Sequence, residues 1–293
     1  MRWMLAVIVQ LAVMASAAAQ DTVRFPAFDA GDGRPATELT GYLFKPSGGD
    51  LKSNGGPMPA VIFLHGCGGL ISATSHRIVS REMEWAGTLT ARGAAVLMVD
   101  SFTPRGSGEM CSRSGFKEWL YLRRPGDAYA ALAWLQRQPF VAKDKVAVIG
   151  WSNGGGAVLF ALGKRHGRPA AFTGPDFRAA VAFYPGSCSE KRMGADWTPA
   201  IPLMVLIGGK DVWTPAAPCK ELVDRAVARG ASIAWHAYPD AYHDFDWPNL
   251  KRRELTHYAT RDGIVPITGE DPASHADAIQ RVQGFLAARI GLH

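Results

Sequence analysis

The chain has 293 residues, of which 47% are hydrophobic and 20% charged, a balance that suits a soluble globular protein. The formal charge of +6 is spread along the chain. Its densest basic clusters, Arg123-Arg124 and Lys251-Arg252-Arg253, are too short for a nucleic-acid-binding tail and read as solvated surface, so no nucleic-acid partner is expected. No 20–50-residue repeat and no low-complexity tract is visible, which excludes solenoid and fibrous architectures.

The N-terminus carries a positive residue, Arg2, then an apolar core from Leu5 to Val13 interrupted by Gln10. Small residues follow in Ser16-Ala17-Ala18-Ala19-Gln20. This is the layout of a secretory signal peptide over residues 1–19, cleaved after Ala19, with a single domain over 20–293. The apolar run is short for a membrane span. No other stretch is long and apolar enough, so the mature protein is expected in the periplasm or outside the cell, free of the membrane. Export permits disulfides. The four cysteines, Cys67, Cys111, Cys188 and Cys219, form no C-x-x-C pair, so neither a zinc site nor a redox motif is expected. Their spacing leaves all three pairings open.

Two strand-like runs, Thr22–Phe28 and Thr37–Phe44, flank a turn segment at 29–35 and read as an edge hairpin. Residues 46–59 are rich in glycine and serine and read as a surface loop. Ala60–Leu64 is a buried strand running into His65-Gly-Cys-Gly-Gly69. Glycines there let the backbone approach a ligand, although an ordinary Gly-rich loop has the same composition; His65 reads as packing behind it. A helix over 76–92 turns Ile78, Met83, Trp85 and Leu89 inward and ends at Gly93. The strand Ala94–Val99 follows, then a long loop from Thr103 to Arg124 that holds Cys111, Arg105 and Arg113. Loops of this length often line a site. Asp127 is expected to cap a helix running to Gln138.

The segment Val146-Ala-Val-Ile-Gly-Trp-Ser-Asn-Gly-Gly-Gly156 comes next. A β-branched run ends in the pattern G-x-S-x-G, and an apolar helical stretch begins after it. A strand turning sharply into a helix strains the residue at the turn, and the flanking Gly150 and Gly154 relieve the crowding. Ser152 is thereby placed at the tip of a strand and the positive end of a helix, as a nucleophile requires; a bare Gly-rich helix start would leave it a surface serine. Ala179–Tyr184 and Pro202–Ile207 are further strands, the second ending at Gly208-Gly-Lys-Asp211. A helix spans about 215–229. Ser232–Tyr238 is the last strand, 239–246 a loop with His243, 247–272 irregular, and 274–290 a closing helix.

Strands that are nearly continuous apolar runs, alternating with helices, imply an α/β fold with a mainly parallel sheet covered on both faces. Ligands of such sheets sit beyond the carboxyl ends of the strands, where these candidate residues cluster. A serine needs a base, and the base a carboxylate to orient it. His243 follows a strand end, whereas His236 lies within a strand and His257 in the irregular segment. Asp211 ends a buried strand; Asp246 remains a second choice, and Asp196 and Asp224 lie in a loop and a helix. The order Ser152, Asp211, His243 is that of the α/β-hydrolase triad. No H-E-x-x-H, P-loop or dinucleotide fingerprint is present, so no metal or cofactor is expected.

Taken together, His65-Gly-Cys-Gly-Gly69, Asp100-Ser-Phe-Thr-Pro-Arg-Gly106, Asp127-Ala-Tyr-Ala-Ala-Leu132, Gly150-Trp-Ser-Asn-Gly-Gly155, Asp211-Val-Trp-Thr-Pro215 and His243-Asp-Phe-Asp246 resemble the dienelactone hydrolase family of α/β-hydrolases, over roughly residues 58–290. The enzyme that names this family uses a cysteine nucleophile where this chain has Ser152. The resemblance implies an α/β-hydrolase fold and a serine hydrolase acting on an ester or lactone. A peptidase, an acyltransferase or a non-catalytic binding protein on the same fold is the alternative. The expected partner is a small acyl substrate. The oxyanion would be held by the backbone N–H groups of Cys67 and Asn153. Arg105, and with it Arg113, is placed to meet an acidic substrate unless both are plain surface charges. The strand neighbours that this fold implies bring Cys67 to Cys111 and Cys188 to Cys219, which predicts those two disulfides. Oligomeric state is not addressed by any of these features.

Overall fold

A computed structural model describes residues 20–29, 35–46, 56–163, 167–260 and 262–293. Residues 1–19, whose sequence predicts a signal peptide, the centre of the 29–35 turn and most of the 46–59 loop lie outside the described residues.

Eight strands form one sheet in the order β1-β2-β4-β3-β5-β6-β7-β8. They are β1 (Gln20–Pro26), β2 (Glu38–Phe44), β3 (Met58–Leu64), β4 (Ala95–Asp100), β5 (Val141–Trp151), β6 (Ala179–Phe183), β7 (Leu203–Gly208) and β8 (Ile233–Tyr238). β1 and β2 make the expected antiparallel hairpin, and β2 joins β4 antiparallel. From β4 to β8 every pairing is parallel. Every residue of β4, β6 and β7 is buried. A strand buried on both of its alternating faces must have cover above and below.

The helices provide that cover: α1 (Ser80–Thr90), the short α2 (Glu118–Tyr121), α3 (Arg124–Gln136), α4 (Asn153–Ala161), the short α5 (Glu190–Met193), α6 (Ala216–Ala228) and α7 (Pro272–Ile290). α3 and α4 pack on each other and on β3 and β5. α1 and α7 are tied to each other by an ion pair between Glu84 and His275 of 3.1 Å. Parallel neighbours align their carboxyl ends, so the loops after β3, β4, β5, β6, β7 and β8 gather on one rim.

Three expectations change. α1 starts at Ser80, after a bridge between Ile71 and Ile78, and Met83 is 40% exposed; the inward face is Glu82, Trp85, Ala86 and Leu89. A helix has 3.6 residues per turn, so a residue two positions before Trp85 faces away from it. α3 begins three residues before Asp127, which lies in its first turn rather than at its cap. The 247–272 stretch is not wholly irregular: β9 (Arg253–Glu254) pairs with β10 (Ile267–Thr268), and a 3-10 turn at Thr256–Tyr258 lies between them.

Candidate active site

Ser152 sits between β5 and α4 with φ 51° and ψ −112°, a region that side-chain-bearing residues rarely adopt. The glycines around it make the turn possible. A Cβ on Gly150 would lie 2.2 Å from the Gly154 carbonyl oxygen, and one on Gly154 would lie 1.9 Å from that of Leu64. Backbone bonds hold the strained residue. Its N–H donates to Phe183 (2.9 Å), and its carbonyl accepts from Gly156 (2.9 Å) and Gly186 (2.8 Å).

His243 follows β8 and is fully buried but for its edge on the cavity. Its Nδ1 donates to Asp211 Oδ2 at 2.7 Å, which leaves Nε2 for a reacting group. Asp211, three residues past β7, is itself fixed. Its Oδ1 accepts from the N–H groups of Trp213 and Thr214, each at 2.9 Å, and its Oδ2 accepts from the Thr214 hydroxyl at 2.8 Å. Burial pulls the imidazole of His243 toward neutrality, but the Asp211 and Asp244 carboxylates outweigh it and hold its pKa above the ordinary 6.5. Ser152 and His243 border the same cavity. The structure thus brings Ser152, Asp211 and His243 together, and gives the second-choice carboxylate a different place. Asp246 is buried and accepts from Trp85 Nε1 (2.9 Å), Trp151 Nε1 (2.7 Å) and the Tyr184 hydroxyl (2.5 Å). His236 pairs with Asp277 on the far side of β8, at 3.6 Å.

Cys67 and Asn153 both line the cavity into which Ser152 opens. Asn153 is the first residue of α4, where N–H groups have no partner within the helix. Sequence reasoning missed the residue that ties Asn153 to the start of the loop after β3. Arg124 read as part of a surface basic pair, yet it is fully buried. It donates to the Asn153 side-chain oxygen and, at 2.7 Å, to the His65 carbonyl. Burial lowers its pKa to about 10. His65 is structural, as expected: Nδ1 donates to the Gly66 carbonyl (2.7 Å) and Nε2 accepts from the Ser101 N–H (3.3 Å).

Arg105 does not face the cavity. Its guanidinium is 3% exposed and forks onto Asp127 (2.7 and 2.8 Å), with Asp29 Oδ2 at 2.9 Å and the Ser101 carbonyl at 2.9 Å. A cation with two carboxylate partners in the interior braces the long loop and is not available to a ligand. Arg113 does border the cavity and is exposed.

Both expected disulfides are present. Cys67–Cys111 has a Cα separation of 4.8 Å and Cys188–Cys219 one of 4.7 Å. The first ties the loop after β3 to the long loop, which the Met110 N–H also joins by donating to the Cys67 carbonyl at 2.7 Å. The second ties the loop after β6 to α6, just past Asp211. Among the described residues no group of three His, Cys, Asp or Glu side chains could hold a metal ion, and no helix is long and apolar enough to cross a membrane.

Two further features had no sequence signal. Trp213 stacks on Tyr258 with ring centres 5.7 Å apart and planes 16° apart, and its ring lies 5.0 Å from that of His243. The Tyr184 ring lies 4.5 Å from His243 on another side.

The dienelactone hydrolase family model matches residues 40–289. Dipeptidyl aminopeptidase BIII of Pseudoxanthomonas mexicana is 28% identical over 244 residues, 72% of this chain; the chain spans only 34% of that relative's length. Among solved structures, Thermogutta terrifontis esterase 2 phosphorylated by paraoxon superposes with a TM-score of 0.65 at 15% identity, covering 97% of this chain and 99% of the esterase. Porphyromonas gingivalis dipeptidyl peptidase 4 does so at 0.63 and 16% identity, covering 94% of this chain and 36% of the peptidase. These likenesses place the sheet described above in the α/β-hydrolase fold.

Proposed function

The chain belongs to the dienelactone hydrolase family, and from that premise we propose that it is a serine hydrolase cleaving a carboxylic ester or lactone through an acyl-enzyme. The observation that carries the reading is the buried Asp211–His243 pair beside a strained Ser152. In the first half-reaction Ser152 Oγ forms a bond to the acyl carbon while His243 Nε2 takes its proton. The carbonyl oxygen becomes an oxyanion, held by the N–H groups of Cys67 and Asn153. The carbon–oxygen bond to the leaving alcohol then breaks, and His243 returns the proton to that oxygen. In the second half a water gives a proton to His243 as its oxygen bonds to the acyl carbon; the bond from that carbon to Ser152 Oγ then breaks, His243 returns the proton to Oγ, and the carboxylic acid leaves. Asp211 orients the imidazole and offsets its charge.

The identity to a dipeptidyl aminopeptidase favours a second reading, cleavage of an amide at a peptide N-terminus. Recognition of an N-terminal ammonium calls for a free carboxylate. Among the described residues the acidic side chain lining a cavity at Ser152 is Asp244, on the His243 side, and Arg81 (2.9 Å) and Thr268 (2.8 Å) occupy it. This supports the ester reading. Export to an oxidising compartment, after cleavage behind Ala19, fits two disulfides and is proposed with it.

An organophosphate or fluorophosphonate probe should add one label at Ser152, and the folded Ser152→Ala variant should take none and lose several orders of magnitude in turnover of p-nitrophenyl acetate. Near-native turnover by that variant would remove the mechanism. Faster cleavage of an aminoacyl anilide than of the matching ester would favour the peptidase.

A further inference from the structure

Ser152 stands where two cavities meet. One, of about 310 Å³, borders Asn153, Phe116, Tyr121 and Arg113; the other, of about 180 Å³, borders His243, Val79, Trp247, Leu250 and Leu255. Ser152, the Cys67–Cys111 bridge, Trp213 and Tyr258 border both. The stacked pair Trp213–Tyr258 therefore stands as the partition between them. Tyr258 reaches that position from the 3-10 turn between β9 and β10, an excursion anchored where the Thr268 hydroxyl donates to the His243 carbonyl or to Asp244, at 3.1 and 2.8 Å.

The chemistry of the serine mechanism assigns a side to each half of the substrate, and this step rests on the proposed function. The proton taken from Ser152 must reach the leaving oxygen through His243. The leaving alcohol therefore lies on the cavity that His243 borders. The oxyanion lies at the Asn153 N–H, and the remaining substituent of the tetrahedral carbon, the acyl chain, falls to the cavity that Asn153 borders.

The two linings differ in size and in the rings each adds to the shared Trp213 and Tyr258. The larger, on the Asn153 side, adds Phe116 and Tyr121 and is also lined by Ser187 and Arg113. Flat π faces with polar groups at the rim suit an arene that carries a hydrogen-bonding substituent. The His243 side is smaller; beyond the shared Trp213 and Tyr258 it adds one ring, Trp247, to the aliphatic Val79, Leu250 and Leu255, and its size limits what can leave there to a short group. We propose that the enzyme is an aryl-acyl esterase: an aromatic acyl group lies against Phe116 and the Trp213–Tyr258 partition, and a short aliphatic alcohol leaves from the His243 side.

The test is a pair of isomers in which the ester is reversed. Ethyl 3-(4-hydroxyphenyl)propanoate carries the arene on the acyl side, and 2-(4-hydroxyphenyl)ethyl propanoate carries it on the alcohol side. Expected is a kcat/KM at least about tenfold higher for the first, in the range a shaped apolar pocket provides. Phe116→Ala should lower that value by about tenfold, with a clearly smaller loss on the second ester. Tyr258→Ala should join the cavities and erase the preference. Equal rates on the two isomers, preference for the second, or an equal loss on both in Phe116→Ala would overturn the assignment. If p-nitrophenyl acetate is hydrolysed and Ser152 is labelled, such a result removes only the division of the substrate. Absence of both would remove the serine-hydrolase reading itself, and this one with it.

Discussion

Asp211 and Asp246 lie near His243 in the fold, and replacing each should produce opposite phenotypes. Asp246→Ala removes the acceptor of three buried donors: two indole N–H groups and the Tyr184 hydroxyl. A buried donor left without a partner costs about 1–3 kcal/mol. Three such losses, moderated because a buried carboxylate's own desolvation cost is relieved and water can enter the space, come to about 3–5 kcal/mol. In a chain of this size about 1 kcal/mol moves Tm by roughly 2–4 °C, so a fall of about 6–20 °C is expected. The fraction that stays folded should keep kcat/KM within about tenfold, because the Asp211–His243 bond does not involve Asp246. Asp211→Asn should do the reverse. Its two backbone donors keep an acceptor and the fold changes little, whereas the imidazole loses its orienting charge. In serine proteases the corresponding change lowers turnover about 10⁴-fold. Thermal unfolding and ester hydrolysis measured on the same samples separate the two. An Asp246→Ala protein as stable as wild type but about 10³-fold slower would show that Asp246, not Asp211, orients the base, and the reading of the site would fail.

His243 must be neutral to accept the proton, and its pKa is held above 6.5, so kcat/KM should rise with pH with a midpoint above that value; Asp244→Asn, which removes one of the raising carboxylates, should move the midpoint down. The same shift has a stability consequence: the His243⁺–Asp211 pairing stabilises the fold fully below the unfolded-state pKa of about 6.5, and that contribution is lost as pH rises through the folded-state pKa. A midpoint at or below pH 6 would contradict it. Arg105→Gln should leave KM unchanged for neutral and anionic esters alike and lower stability by about 3–5 kcal/mol in urea, since it strands Asp29 and Asp127; a KM rise confined to anionic esters would restore a substrate role. Each disulfide closes a loop of several tens of residues, worth about 4 kcal/mol in chain entropy. Reduction should nonetheless lower esterase activity at a denaturant concentration where far-UV circular dichroism is still native, because the Cys67–Cys111 bridge lines the cavity and the other ties the loop after β6 to α6; parallel loss of the two signals would refute that.

What was legible in the sequence was whatever repeats a local pattern. The apolar runs of β3 to β7 announce buried strands by themselves, and G-x-S-x-G announces the turn at Ser152 because steric crowding permits little else there. Asp211 and His243 were found from their positions after strands, and the cysteine pairs from the strand neighbours that the family resemblance implies. What failed was any judgement of a charge's surroundings. Arg105 and Arg124 look alike in sequence, two arginines in or near one long loop. One is neutralised by carboxylates from distant positions 29 and 127, whereas the other is hydrogen-bonded by a carbonyl at 65 and an amide at 153. Burial is a property of the contacts across the fold, and a linear reading assigns such residues to solvent by default. The Trp213–Tyr258 partition is hidden for the same reason: its two rings are 45 positions apart, and Tyr258 lies in a stretch with no periodicity to read.

Backbone strain is concentrated where the chemistry is proposed. Among the described residues, six that are not glycine have positive φ, and four of them, Ser152 (51°), Tyr184 (32°), Ser187 (60°) and Asp244 (59°), belong to the loops around Ser152. Such conformations cost of order 1–3 kcal/mol each and persist only where surroundings over-determine them. That condition is met at three of the four. Ser152 is clamped by three backbone bonds. The Tyr184 N–H donates to the Leu206 carbonyl at 2.6 Å while its hydroxyl donates to Asp246. Asp244 is pinned between Arg81 and Thr268. The polar network behind the site, with Arg81, Tyr184 and Asp246 at its centre, holds Trp85, Trp151 and Asp244 beside the strand ends at which Ser152 and His243 border the cavity. A side chain removed from that network should therefore change stability first, and rate only through the geometry it releases.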